Sequence, residues 1–311
     1  MTERFVSGET VRTETVTGRR YRGLGPGPHQ GVLVLHGGGG AGGYERGYAA
    51  LLAEHGYTAL CVEYFGAPGV PDVLERIPLE TFGAAARWLR GRPDVCDAPV
   101  GVVGFSRGGE AALLSGSHFD AFGAVVAYVP SCYAFPAPAW MDGVAEGRAA
   151  WTLDGEPVPF LPIDEHVTDA DGIDAPLGEE PPNAATLALD RSTAEQRERA
   201  AIPVEDIDGP VLLVSGGRDT VWPATAFSER VVHRLEANDH PYSVEHRSYS
   251  DAGHAIRVPY RFDESDDRAD EHWLGGTNEA NARAAADAWR RTLETLAVVG
   301  RGGRFWTDRC E

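Results

Sequence analysis

A chain of 311 residues, 42% hydrophobic and 24% charged, has the composition of a folded globule and not of a disordered or collagen-like chain. Its 47 acidic residues face 28 basic ones, every one an arginine, for a net charge of −19. That balance excludes the cationic stripe needed for non-specific nucleic-acid binding or for an anionic membrane surface. Residues 1–20 lack the basic start and apolar run of a secretory signal, and no stretch approaches the ~18 apolar residues of a membrane span, so a cytoplasmic protein is expected. Cys61, Cys96, Cys132 and Cys310 are scattered with no C-x-x-C pair; they read as structural residues, Cys61 as part of a strand core, and neither a metal nor another cofactor is implied.

Along the chain, Glu9 to Arg22 alternates apolar and charged residues as a half-exposed hairpin does, until Gly-Pro-Gly-Pro breaks it. Short apolar runs then alternate with helical patterns, the rhythm of an α/β fold with a mostly parallel sheet covered on both faces. The strand candidates are Gly31 to Leu35, Thr58 to Tyr64, Val100 to Phe105, Ala124 to Val129, Val211 to Ser215 and Ser243 to Arg247. The helix candidates are Glu45 to His55, Leu79 to Arg90 with Pro78 placed for its first turn, Arg107 to Ser117, Ala224 to Ala237, and Glu279 to Leu296. From about Ser131 to Ala201 the rhythm fails and proline, glycine and acidic residues accumulate. This stretch is expected to be a cap or lid inserted within a single domain spanning 1–311. Inside it, Asp154-Gly155 between hydrophobic flanks predicts a small hairpin, and Ser192 with Glu195 predicts a capping box opening a short helix.

The chemistry starts at Gly104-Phe105-Ser106-Arg107-Gly108, where a buried strand meets an Ala/Leu-rich helix: the G-x-S-x-G nucleophile elbow. The serine occupies a sharp, strained turn, so its neighbours two residues away must be small to clear the adjoining strand and helix. The Arg107 N–H at the helix start can then face a developing oxyanion. A serine needs a base, and in the α/β-hydrolase fold the partners follow in the order Ser, acid, His. Asp219 lies in the loop after the strand Val211 to Ser215, at the edge where such sheets build sites; a helix cap before Pro223 is its alternative role. His254 follows the next strand in Asp251-Ala252-Gly253-His254. Among its rivals His233, His240, His246 and His272, the first falls in a helix and the third in a strand. The second oxyanion donor is expected from His36-Gly37-Gly38-Gly39-Gly40, at Gly38 with Gly37 beside it, and His36 reads as structural. Tyr133, Phe135, Trp140 and Phe160 of the insertion are candidates for an acyl pocket over the nucleophile.

With these residues placed, the chain resembles the C-terminal catalytic domain of the acyl-CoA thioesterase and bile acid-CoA:amino acid N-acyltransferase family, in the dienelactone-hydrolase branch of the α/β-hydrolases. The resemblance runs from about Gly31 to Leu296. It rests on Gly104 to Glu110, on Ser215-Gly216-Gly217-Arg218-Asp219 with Trp222-Pro223, on Ala252-Gly253-His254 followed by Pro259-Tyr260, and on Trp273-Leu274-Gly275-Gly276-Thr277 before a helix with Asp287-Ala288-Trp289. It implies a serine hydrolase acting on a small-molecule acyl thioester, acyl-CoA foremost. Ser106 stands where the amidating transferases have cysteine, which favours hydrolysis over transfer. Eukaryotic members carry a β-sandwich domain ahead of the hydrolase domain, where about thirty residues precede Gly31 here. Glu63 resembles the glutamate that dienelactone hydrolases place after a strand, with a structural role as the alternative. Arg107, Arg218, Arg257 and Arg261 are candidates for gripping the phosphates of a CoA leaving group, and Trp222 is a further candidate substrate contact. The competing functions are a carboxylesterase or dienelactone-type hydrolase of oxygen esters, an acyltransferase, and a catalytically silent binding module, against which the intact Ser106, Asp219 and His254 argue.

Acid-rich, lysine-free chains resemble halophilic proteins. In molar salt the Debye length falls to about 3 Å and the self-repulsion of such a surface is screened. The thermal midpoint and the activity are therefore expected to climb from dilute buffer to molar salt, and a midpoint that stays flat would contradict a stability limited by surface charge.

Overall fold

The computed structural model describes residues 6–163, 184–259 and 274–298. It opens on a hairpin, β1 (Glu9–Arg12) and β2 (Thr17–Tyr21), paired antiparallel with Glu9 opposite Arg20. The alternation follows: β3 (Gly31–Leu35), α1 (Tyr44–Glu54), β4 (Thr58–Val62), β5 (Ile77–Pro78), α2 (Glu80–Arg90), β6 (Val100–Phe105), α3 (Arg107–His118) and β7 (Phe122–Tyr128). The insertion contributes β8 (Trp151–Leu153), β9 (Glu156–Pro157), α4 (Ala184–Arg191) and α5 (Ala194–Ala200). β10 (Val211–Gly216), α6 (Ala224–Ala237), β11 (Val244–Tyr249) and α7 (Asn278–Val298) complete the described chain.

Eight strands form one sheet in the order β1-β2-β4-β3-β6-β7-β10-β11. β2 runs antiparallel to β4, and every pairing from β4 to β11 is parallel. Every residue of β3, β4, β6 and β10 is buried, because helices cover both faces and leave no side of these strands for water. β11 lies at the sheet edge, and its sequence VEHRSY is accordingly polar and half-exposed. With seven helices around it among the described residues, this is the α/β-hydrolase architecture. No helix among them is long and apolar enough to cross a membrane.

Two local expectations need correction. Pro78 does not start a helix: Ile77 N–H and Leu79 N–H donate to Ala150 and Thr152, so this backbone is committed to the small sheet β5-β8-β9 and α2 begins at Glu80. The capping box sits one residue later than Ser192/Glu195. Thr193 Oγ1 accepts from Gln196 N–H at 3.1 Å while the Gln196 side chain accepts from Thr193 N–H at 2.8 Å. The Ser192 hydroxyl is spent on Leu189 O, closing α4, a helix that periodicity did not disclose. The hairpin at Asp154-Gly155 is present, with Leu153 opposite Glu156. Cys61 and Cys132 are free and buried. Residues 164–183 of the insertion, together with Tyr260, Arg261, His272, Trp273 and Cys310, lie outside the described residues.

At the core, Tyr48 of α1, Tyr128 of β7 and Thr292 of α7 join their hydroxyls at 2.9 to 3.2 Å, so three elements share a fully satisfied buried polar knot. At the sheet edge, Asp287 of α7 accepts from Tyr249 at 2.8 Å, Arg247 at 2.9 Å and Arg290 at 2.6 Å. The Tyr249 hydrogen bond and then the two guanidiniums lower its pKa from 3.8 to about 2. A carboxyl whose folded pKa is depressed stabilises above its unfolded value and loses that contribution as pH falls through the folded value. Asp287→Asn is therefore expected to cost about 1 kcal/mol at pH 7, after discounting for solvent screening, and to flatten the urea-midpoint profile between about pH 4 and pH 2.

Candidate active site

The site is assembled at the carboxyl edge of the parallel strands. Ser106 is pinched between β6 and α3 with φ 55° and ψ −117°, a conformation that a non-glycine residue adopts only when its surroundings enforce it. The enforcement is visible at the two glycines. A Cβ on Gly104 would lie 1.9 Å from Gly108 O, and one on Gly108 would lie 2.3 Å from His36 O. Only bare backbone lets α3 come this close to β6 and to the end of β3.

Asp219 hangs in the loop after β10 and His254 in the loop after β11. His254 Nδ1 lies 2.7 Å from Asp219 Oδ2, and Nε2 lies 2.8 Å from Ser106 Oγ. A carboxylate only accepts, so the ring proton sits on Nδ1 and Nε2 is left to accept from the serine hydroxyl. The other oxygen of Asp219 accepts from Val221 and Trp222 N–H at 2.9 and 3.2 Å; the aspartate therefore caps the local turn as well as holding the imidazole. His254 is 6% exposed. Its own N–H donates to Leu274 O at 2.7 Å, and Asn281 of α7 holds the preceding Gly253 N–H at 2.7 Å. Of the rivals, His233 lies within α6, His240 contacts Gly209 O, and His246 on β11 is bonded to Ser215.

The glycine loop folds over this group as a tight turn closed by Gly40 N–H to Gly37 O at 3.2 Å. Gly38 N–H donates to no acceptor among the described residues. Arg107 N–H is at the first position of α3, where a helix supplies no acceptor. His36 is a buttress for the loop: its ring stacks on Tyr64 at 4.0 Å, and burial lowers its pKa to about 4.

The Arg107 side chain does not face outward as a phosphate grip would. It turns inward, donating to Glu110 Oε2 at 2.8 Å and to Phe135 O and Pro136 O at 3.0 Å each. Glu110, fully buried on the same helix, also accepts from Phe135 N–H at 3.1 Å and from Trp151 Nε1–H at 2.6 Å. Burial pushes its carboxyl above the usual range, and the Arg107 guanidinium opposes that push. Glu110 was not singled out for a role from sequence. The signal was available: α3 reads RGGEAALLSGSH, buried from Arg107 through Ser117, so its one acid, a turn beyond the serine, must find partners inside.

The remaining substrate candidates divide. Trp140 is 70% exposed and its indole reaches 3.9 Å from where a Cβ on Gly38 would stand, at the mouth above the glycine loop. Trp222 is buried, edge-on to the His254 ring at 5.7 Å, with its indole N–H on Val129 O; it walls the imidazole. Phe135 stacks on Trp222 at 5.7 Å. Tyr133 packs on Phe227 and borders, with Arg230 and Arg197, a groove of about 670 Å³ that none of Ser106, Asp219 and His254 lines. Phe160 is partly buried against the core. Glu63 is tied to Arg46 at 2.8 Å. Arg218 is exposed beside Asp251, and Arg257 lies over the Tyr44 ring at 4.6 Å. No cluster of three or more His, Cys, Asp or Glu suited to a metal occurs among the described residues.

A sequence model of the family described as BAAT / Acyl-CoA thioester hydrolase C terminal matches residues 77–297. Human acyl-coenzyme A thioesterase 1 is 28% identical over 328 residues, covering 98% of this chain and 69% of that protein. Mouse acyl-coenzyme A amino acid N-acyltransferase 1 is 25% identical over 263 residues, covering 83% of this chain and 57% of that protein. The chain thus spans between 57% and 69% of the length of these two curated relatives, and 60% of human acyl-coenzyme A thioesterase 2, mitochondrial. Among solved structures, a putative dienelactone hydrolase from Klebsiella pneumoniae subsp. pneumoniae aligns with a TM-score of 0.55 at 18% identity, over 94% of this chain and 97% of that one. That likeness bears on the fold alone.

The buried pair generates a stability prediction. Glu110→Ala strands a buried guanidinium and is expected to cost about 3–5 kcal/mol, whereas replacing Arg107 and Glu110 together by methionine should cost markedly less. Urea midpoints of the three proteins test this; a single variant no worse than the double would mean that the two charges do not compensate each other.

Proposed function

The chain belongs to the BAAT / acyl-CoA thioester hydrolase C-terminal family, and from that premise we propose that it hydrolyses an acyl thioester through an acyl-Ser106 intermediate. One observation carries the reading: the unbroken line from Asp219 through both nitrogens of His254 to Ser106 Oγ, with hydrogen bonds of 2.7 and 2.8 Å. It is a nucleophile, a base and an orienting acid within reach of one another.

In the proposed mechanism Ser106 Oγ attacks the thioester carbonyl carbon while His254 Nε2 takes the hydroxyl proton. The carbonyl π electrons pass to oxygen, and that oxyanion is met by the N–H groups of Arg107 and Gly38. Asp219 keeps the imidazole in the tautomer that accepts at Nε2 and stabilises the imidazolium that forms. Collapse of the tetrahedral species breaks the C–S bond, and the sulfur leaves as a thiol with the proton from His254. A water then attacks the acyl-serine, delivering its proton to His254, and the second collapse returns the Ser106 hydroxyl and releases the carboxylic acid.

CoA is the proposed leaving group, in keeping with the thioesterase relatives. The objection that a net charge of −19 repels a polyanion is weakened by salt, which screens surface charge beyond a few ångströms. With Arg107 turned inward, any phosphate contact falls to arginines on the outer loops, Arg218 and Arg257 among them.

Ser106→Ala and His254→Ala are each expected to lower kcat by about 10⁴-fold or more, with the double variant little worse, because such residues act as a unit. Either single variant keeping a tenth of wild-type kcat would remove that residue from the mechanism. Substrate class is read by comparing an acyl-CoA with a neutral oxygen ester of the same acyl chain. A higher kcat/KM for the acyl-CoA is expected, and the reverse order would make the enzyme a carboxylesterase.

A further inference from the structure

Tyr44 is the first residue of α1, directly after the glycine-rich loop, and nothing above gives it a chemical task. A Cβ placed on Gly37 would touch three groups: the Tyr44 hydroxyl at 3.0 Å, the Phe105 carbonyl at 3.2 Å and Ser106 Cβ at 3.4 Å. The phenol oxygen and the side chain of the serine therefore border the same small space above Gly37. The ring is held there from two sides. It packs edge-on against Phe105 with centroids 5.1 Å apart, and the Arg257 guanidinium lies 4.6 Å from its centroid. Phe105 immediately precedes the serine, and Arg257 comes three residues after His254. One half-buried tyrosine thus joins the loops that carry the glycines, the nucleophile and the base.

We propose that Tyr44 is a further catalytic residue, its hydroxyl donating a hydrogen bond to the oxyanion beside the N–H groups of Arg107 and Gly38. The inference rests on the reading of Ser106 as an acylated nucleophile. The reacting carbonyl must come within about 3 Å of both nucleophile and oxyanion donors, which sets its oxygen in the space that Tyr44 and Ser106 share. The O–H donates without giving up its proton, so the proton relay through His254 is unchanged. A phenolic oxygen that donates one hydrogen bond can still accept others, so the role is compatible with further contacts of that atom. The bare backbone at Gly37 has a reason on this account: a side chain there would fill the space the substrate oxygen needs.

The test is Tyr44→Phe, which keeps both ring contacts and removes one oxygen. We expect kcat to fall about 10- to 100-fold, at or below the low end of the effect of deleting an oxyanion donor, with KM within about threefold. Affinity for a trifluoromethyl ketone of the substrate's acyl chain, which forms a tetrahedral adduct on the serine, should weaken in proportion to kcat/KM. A hydroxyl that only shapes the loop would shift the thermal midpoint without that proportionality. A kcat within threefold of wild type, or unchanged ketone affinity, overturns the proposal. Fluorophosphonate labelling keeps the two readings apart. Labelled Ser106 with an unimpaired Tyr44→Phe variant overturns the tyrosine alone, whereas a wild type that neither labels nor turns over acyl substrates overturns the serine mechanism and the tyrosine with it.

Discussion

The geometry of the site depends on a backbone approach that admits no side chain. α3 can begin with only Ser106 between it and the end of β6 because Gly104 and Gly108 let two pieces of main chain meet where any Cβ would fall about 2 Å from a carbonyl oxygen. The cost is Ser106 in the left-handed region, of order 1–3 kcal/mol of local strain. The return is a hydroxyl held clear of both elements and a helix N-terminus aimed at the space beside it. Val129, the residue after β7, is a second strained position, β-branched at φ 41°. It too is over-determined, its N–H on Val214 O and its carbonyl holding the Trp222 indole. Strain is stored along the edge that carries Ser106, Asp219 and His254, and the buried parallel sheet beneath absorbs it.

From the elbow, order spreads through one buried ion pair. Glu110 and Arg107 grip both sides of the Phe135 backbone, and Phe135 stacks on Trp222, which walls His254. The start of the insertion is thus fastened to α3, and through two aromatic rings it reaches the imidazole. A purely apolar contact would give comparable stability, since buried pairs seldom exceed well-packed hydrocarbon. The charged version adds direction, because a guanidinium fork and a carboxylate specify which backbone atoms they hold.

The surface and the interior use charge in opposite ways. Outside, the described ion pairs, such as Arg218 with Asp251 or Arg283 with Glu279, are exposed and individually worth little. Inside, the few charges that enter are committed: Glu110 to three donors including Arg107, Asp219 to His254 and a turn. An arginine in this chain is therefore as often a structural tie as a candidate ligand, and Arg107 is the plainest case.

The amino-acid sequence by itself determined the sheet strands, the elbow and the order in which acid and histidine arrive. Each of these is a local pattern: a solid apolar run, two glycines spaced around a serine, a polar loop after a strand. The carboxyl edge of a parallel sheet then gathers such loops whatever their separation, and Ser106 and His254 meet across 148 positions. What only the tertiary structure decided is which way individual side chains turn once there. Arg107 turning inward, Tyr133 facing the groove beside α6 while Phe135 takes the place against Trp222, and Tyr44 meeting Ser106 over a missing side chain at Gly37 all depend on register between distant elements. A one-residue shift along an extended segment changes the face on which a side chain lies, and no pattern in a single sequence fixes that against neighbours that the sheet alone brings close.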